Sequence, residues 1–423
     1  MLTTTTLALI AIRGVAVLDL HAAKWLTNRT VVVAGERIQS VSDARGAKTP
    51  RGARIIDGRG KFLIPGLIDA HVHLVHQANF AHVSPDELLP LYLRYGVTSV
   101  RSTGDQIVAE KMAQRHAEAN PSTCPRVFSC SPLIDGDPPH HADIGHPLTD
   151  PAKVAEFVAD MKAWDATTLK IYVRTGRDVG RLVIDEGHRA NMVVAGHLGA
   201  YQAADAVADG IDVLEHIWSV INYSFPPGPR NRANIDLFNP TATALRDLIV
   251  RHGTMVDPTL AVFRNMILLN DMPEVHNHPD NAAVPQRLRD HWDRYKARSS
   301  LQIHTRDARV AEFRKYQELT GLLYRAGVPI LAGTDTPEPY VPPGAALHQE
   351  LELLVESGLP PAAALAAATV NNARALRREA DLGSIEPGKL ADMVLLDADP
   401  LADIRNTRRI SAVFRGGVVA MRP

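Results

Sequence analysis

Cysteine is nearly absent from this 423-residue chain, which has only Cys124 and Cys130. That excludes a disulfide framework, a C-x-x-C redox motif and a four-cysteine zinc site. Net charge is lacking as well. Lysine plus arginine (46) nearly cancels aspartate plus glutamate (47), so no excess field draws nucleic acid or an anionic membrane. Long apolar runs are missing: Leu7 to Ile12 falls far short of the ~18 residues of a membrane span. The start MLTTTTLALIAIRG has neither a basic n-region nor a long h-region. A cytoplasmic enzyme is expected, the alternative being a secreted or periplasmic form whose signal peptide is absent. Neither G-x-x-x-x-G-K-[ST] nor G-x-S-x-G occurs, which removes phosphate-loop and serine-hydrolase chemistry.

What is present is an ordinary globular composition, 45% apolar and 22% charged, able to bury a large core. Disorder, collagen and coiled coil are excluded. Length alone suggests two to three domains, or one large barrel with an appendage. Histidine stands out. Eighteen of them is about twice ordinary usage, and histidine is the commonest protein ligand for zinc.

Both ends of the chain read as short strands. LALIAIRGVAVLD, TVVVAGERIQSVS and ARIIDGRG at the start, and ADMVLLDAD and ISAVFRGGVVAM at the end, predict a small β-sandwich built from 1–62 and 376–423. Between them, 63–375 alternates apolar runs with amphipathic stretches. The runs are FLIPGLIDAHVHL, GVTSVRST, RVFSCSPLI, TTLKIYV, NMVVAGHLG, IDVLEHIW, GTMVDPTL and VPILAGTDT. Eight strand-helix alternations predict an α/β fold, a (β/α)₈ TIM barrel with parallel strands buried on both faces. The alternative, a doubly wound sheet, lacks the G-x-G-x-x-G turn of its dinucleotide-binding version. The polar segment 270–306 is too long for a simple connection and reads as an insertion over one barrel mouth.

Chemistry-bearing residues fall at the C-terminal ends of these runs, where barrel active sites are built. His71 and His73 lie two apart on the first, hence on one strand face. Lys170 lies on the fourth, His197 on the fifth, His216 on the sixth and Asp335 on the eighth. Singly, each has a plain reading: a hydrogen-bonded core histidine, or an aspartate in a turn. A lysine inside an apolar run is already unusual, because it costs several kcal/mol to desolvate unless neutralised or paired. His276 and His278 also spell H-x-H, but among Pro, Asp and Asn, so they read as surface loop.

The order H-x-H, Lys, His, His, Asp resembles the amidohydrolase superfamily, in the subtype whose two divalent metals are bridged by a carboxylated lysine. LIPGLIDAHVHL, and GTDT followed by LHQELELLVESGLPPAAALAAAT, are most similar to its imidazolonepropionase-like and prolidase-like branch. The resemblance spans nearly the whole chain, including the tail LGSIEPGKLADMVLLDADPL. It implies that His71, His73 and Asp335 hold one metal, that His197 and His216 hold the second, and that Lys170 bridges them as its carbamate. Zinc suits imidazole and carboxylate ligands without thiolate, and manganese, cobalt or nickel would also fit. The implied reaction is hydrolysis of an amide bond by a metal-activated hydroxide, with Asp335 as general base and then general acid.

Substrate contacts are sought on the same rim: His140 and His141 after DGDPP, Tyr172 and Arg174 past Lys170, and Tyr201. The branch favours an aromatic two places after the fifth-run histidine, whereas Leu198 and Gly199 follow His197. Arg174 offers a planar carboxylate clamp in its place. The expected substrate is a small-molecule amide such as an N-acyl amino acid, a dipeptide or a related carboxamide. Alternatives are opening of a cyclic amide or imidazolone ring and, from another class, a metal-free assembly protein. Pairing into a homo-oligomer fits the resemblance.

Overall fold

The computed structural model describes residues 9–224, 232–268, 273–298 and 305–421. Strands from both ends of the chain pair into one eight-stranded sheet. Leu9–Asp19 pairs antiparallel with Lys24–Ala34, which turns through Gly35 and Glu36 into Arg37–Asp43. The ends meet where Phe62–Pro65 pairs antiparallel with Met393–Leu396. Alternate residues, among them Ile10, Ile12, Val31, Val33, Leu63, Met393, Leu395 and Phe414, form a core separate from the larger one. The period-two pattern legible in these segments is what directs one face inward.

The middle of the chain supplies parallel strands. Leu67–Val72, Val97–Ser102 and Arg126–Phe128 form one sheet. Cys130–Asp135, Thr168–Ile171, Val193–Gly196, Val213–Glu215 and Met255–Asp257 lie in the second. The third run contributes to both sheets. The strands are short and buried on both sides, as apolar runs without alternation require. The eighth run is an extended segment with two parallel bridges, Val256 to Ile330 and Val72 to Thr336. Its backbone bonds the seventh run (Leu331 N–H to the Val256 carbonyl, 2.9 Å) and the first (Ala70 N–H to the Ala332 carbonyl, 3.1 Å).

Amphipathic helices such as Pro85–Arg94, Val154–Ala163, Arg177–Arg189 and Pro240–His252 connect the strands. The last shows how sequence sets its ends. Asn239 caps the Ala242 N–H at 2.9 Å, Pro240 opens the helix, and Gly253 closes it at φ 67°. No described helix is long and apolar enough to cross a membrane.

The 270–306 insertion is described in part, residues 270–272 and 299–304 lying outside the described residues. It comprises a short helix Pro273–His276, a 3₁₀ turn Pro279–Ala283 and a helix Gln286–Arg298. That helix is anchored at two points. Trp292, fully buried, donates through Nε1 to the carbonyl of Pro337 at 3.0 Å, two residues past Asp335. Arg287 bonds the His82 carbonyl and Glu87 Oε2, each at 2.6 Å, in the connection after the first run. Half-buried His276 pairs with Asp293, whose side chain is exposed, in keeping with a surface position for the second H-x-H.

Candidate metal centre

Extended backbone through Leu67–Val72 and its continuation puts His71 and His73 on one face. His71 is fully buried, and its Nε2 lies 3.5 Å from Asp335 Oδ1. His73 Nε2 lies 3.4 Å from the same oxygen, and His216 Nε2 is 3.9 Å from Asp335 Oδ2. The His197 and His71 rings each sit 4.5 Å from that of His216. His216 and Asp335 both adopt φ 62°, a left-handed conformation uncommon for non-glycine residues and tolerated mainly where surrounding structure enforces it. Gly333 is required by crowding: a Cβ there would come within 2.1 Å of Asp257 Oδ2 and 2.5 Å of His71 Cβ.

The donor set fits divalent cations. Ligand atoms of His71, His73 and Asp335 all lie within 4.8 Å of one another. Two 2.0–2.1 Å bonds at a tetrahedral angle separate ligand atoms by about 3.3 Å, close to the 3.4 and 3.5 Å separations here. Buried His71 Nε2, His73 Nδ1 and Lys170 Nζ have no hydrogen-bond partner, although buried polar atoms are normally satisfied. Lys170 is 1% exposed and 4.0 Å from Glu215 Oε1. Burial lowers its pKa from the usual lysine value, favouring the neutral amine.

Three of the four imidazoles are held neutral, as metal ligation requires, whereas for His73 burial acts downward but the carboxylates of Asp335 and Asp105 outweigh it and raise its pKa. Burial, then the charge of Lys170, pushes His71 down to about 4, and burial with His71 pushes His216 down to about 3. Burial also carries His197 well below the usual value. For Asp335 burial acts upward, yet the surrounding His71, His73 and His216 hold its carboxyl well below the usual range. Orientation comes from behind: His71 Nδ1 bonds Glu215 Oε2 at 2.8 Å, and His216 Nδ1 bonds Thr259 Oγ1 at 2.8 Å. Each contact leaves Nε2 facing Asp335.

Four supporting residues, Glu215, Thr259, Arg101 and Asp257, are absent from the sequence reading. Glu215 also accepts from buried Arg101 at 2.5 Å, and Asp257 accepts the Gly333 N–H at 3.0 Å. The signal was available, since a Glu in VLEHIW and an Arg in GVTSVRST are charges inside apolar runs, as Lys170 is.

The rim residues divide. Tyr172 sits with its ring 5.0 Å from His197, and its hydroxyl hydrogen-bonds His141 at 3.1 Å. The His140 ring packs 4.7 Å from that of His141. Arg174 is exposed and gives Nη1 to the Pro138 carbonyl at 2.6 Å, bracing the DGDPP loop. Tyr201 is fully buried and donates to Asp209 at 2.8 Å, which commits it to helix packing.

The amidohydrolase family profile matches residues 62–420. The chain belongs to the amidohydrolase family. It is therefore a hydrolase acting on C–N bonds, within the imidazolonepropionase-like and prolidase-like branch. Imidazolonepropionase of Geobacillus kaustophilus (strain HTA426) is 24% identical to it over 95% of this chain and 90% of its own. Imidazolonepropionase of Aromatoleum aromaticum is 26% identical over 84% and 81%. Among solved structures, a candidate prolidase from Bifidobacterium longum aligns over 98% of this amidohydrolase and 95% of its own chain, at 26% identity and TM-score 0.72.

Proposed function

We propose that this amidohydrolase cleaves an amide bond at a binuclear metal centre, with Asp335 moving the proton. The two parallel sheets, bonded on either side of 329–336, are read as one (β/α)₈ barrel over 63–375, and the sheet from 1–62 and 376–423 as its sandwich. His71, His73 and Asp335 would hold one ion, and His197 and His216 the other, with Lys170 as a carbamate between them. Two divalent ions, zinc by donor chemistry, would supply an acidified water and a polarised carbonyl. The observation that carries the reading is Asp335, whose two oxygens lie 3.4 to 3.9 Å from three imidazoles while buried Lys170 Nζ has no hydrogen-bond partner.

The chain's own residues do the rest. Asp335, ionised at neutral pH, takes the proton of the attacking water and delivers it to the leaving nitrogen, giving a carboxylate and an amine. Tyr172, His140 and His141 line one side of the rim and would orient the acyl part of an N-acyl amino acid or related carboxamide. Arg174 would act there only after releasing Pro138. A second reading, ring opening of a cyclic amide, is favoured by the two imidazolonepropionases that match over most of their length. Asp335→Asn is expected to abolish turnover of a responsive amide while most metal stays bound. Substantial activity in that variant would remove Asp335 from the role.

A further inference from the structure

Beside this centre stands a second group of imidazoles, of which the chemistry above uses only His140 and His141, as rim contacts, and leaves His76 without a role. His76 is 5% exposed and opens the helix His76–Phe80. With His141 and Asp143 it forms a set in which one ligand atom of each lies within 4.8 Å of the others. His76 Nδ1 is 2.7 Å from Asp143 Oδ2, and the His76 and His141 rings are 4.8 Å apart. The backbone fixes all three. His76 N–H donates to Asp105 Oδ1 at 3.0 Å, the Gln106 amide donates to the Asp143 carbonyl at 2.5 Å, and Gly145 N–H donates to the His141 carbonyl at 2.7 Å. Exposure rises from buried His76 to His141 and Asp143, both half-buried, which leaves a way in from solvent.

A His–Asp pair by itself calls for no further imidazole. Here His141 faces the pair with a second ring nitrogen, in a corner that also holds His73 and His140, with ring centroids 4.7 to 6.2 Å apart. A cation shared by two imidazoles and one carboxylate would satisfy them, and three protein ligands with an open fourth position suit zinc.

We propose that His76, His141 and Asp143 form a third divalent-cation site on the rim. It shares no ligand with the six residues assigned to the binuclear centre, so it stands whether or not that assignment holds. Tyr172, bonded to His141 and packed on His197, lies between the two sites.

Equilibrium dialysis of the full chain against micromolar zinc, followed by elemental analysis, tests it. Wild type should take up one more equivalent, held more weakly, than either His76→Gln or Asp143→Asn. His216→Asn, which damages the proposed binuclear centre, should lose a tightly held ion and keep the weaker one. A failure of the binuclear reading therefore changes the tight count and leaves the difference between wild type and the rim variants intact. Equal zinc content in wild type and both rim variants, with thermal melting showing them folded, would overturn the third site. Because Asp143 is only half-buried and is held through its backbone carbonyl, Asp143→Asn keeps that bond and leaves the fold in place should His76→Gln fail to fold.

Discussion

Replacing Glu215 with glutamine keeps the size of the side chain and removes the charge that two buried donors use. Oε2 accepts from His71 Nδ1 at 2.8 Å and Oε1 accepts from Arg101 at 2.5 Å, with all three side chains fully buried. Glutamine has one oxygen for two donors, so its amide must turn N–H toward either His71 or Arg101. Leaving a buried ion without its partner costs about 3–5 kcal/mol. Glutamine still bonds one donor, which places the expected loss near the lower end, about 3 kcal/mol, read from urea unfolding of metal-free protein. Loss of the His71 anchor also frees the imidazole to take the wrong tautomer. Metal affinity should fall about 10- to 100-fold, read by chelator competition. Unchanged unfolding free energy together with unchanged affinity would refute the claim that Glu215 orients His71.

Trp292→Ala removes a fully buried indole and its bond to Pro337; by large-to-small precedent it should cost about 3–5 kcal/mol, and faster amide exchange in Gln286–Arg298 with reduced kcat would trace the loss to the loop bearing Asp335. Gly333→Ala should yield little folded protein, since its Cβ meets Asp257 and His71; wild-type melting and metal content would contradict the crowding argument. Acid stability should depend on Asp280. Burial acts to raise its carboxyl, but His278 and the Arg408 guanidinium outweigh burial and hold it at about 2, against 3.8 for the free group. A depressed carboxyl contributes stability that is present above pH 4 and lost as pH falls toward 2, here about 2 kcal/mol. Asp280→Asn should therefore flatten stability over that window, and an unaltered acid limb would exclude the role.

Much of this was legible in the chain because period and position carry it. His71 and His73 share a face since strand side chains repeat every two residues. The eight apolar runs appear as seven strand regions and the bridged segment 329–336, and both termini meet in one sheet. The membership of the family, and hence C–N hydrolysis, follows from those same motifs. What stayed hidden depends on long-range pairing. Arg101 and Glu215 are 114 positions apart, and no local pattern announces that their charges cancel in the interior. Tyr201 looked like a rim residue because it follows His197 closely, yet its ring lies over Gly180 and its hydroxyl on Asp209. The Asp105 and Gln106 contacts that hold His76 and Asp143 are likewise invisible until the loops are folded together.

The central claim is that six side chains from the ends of five apolar runs hold two divalent ions. Elemental analysis of protein expressed with added zinc and dialysed free of loosely held metal tests it directly. The account predicts about two retained ions per chain in wild type and a loss of tight binding in Lys170→Ala. Full hydrolytic activity in protein that retains no metal would contradict it.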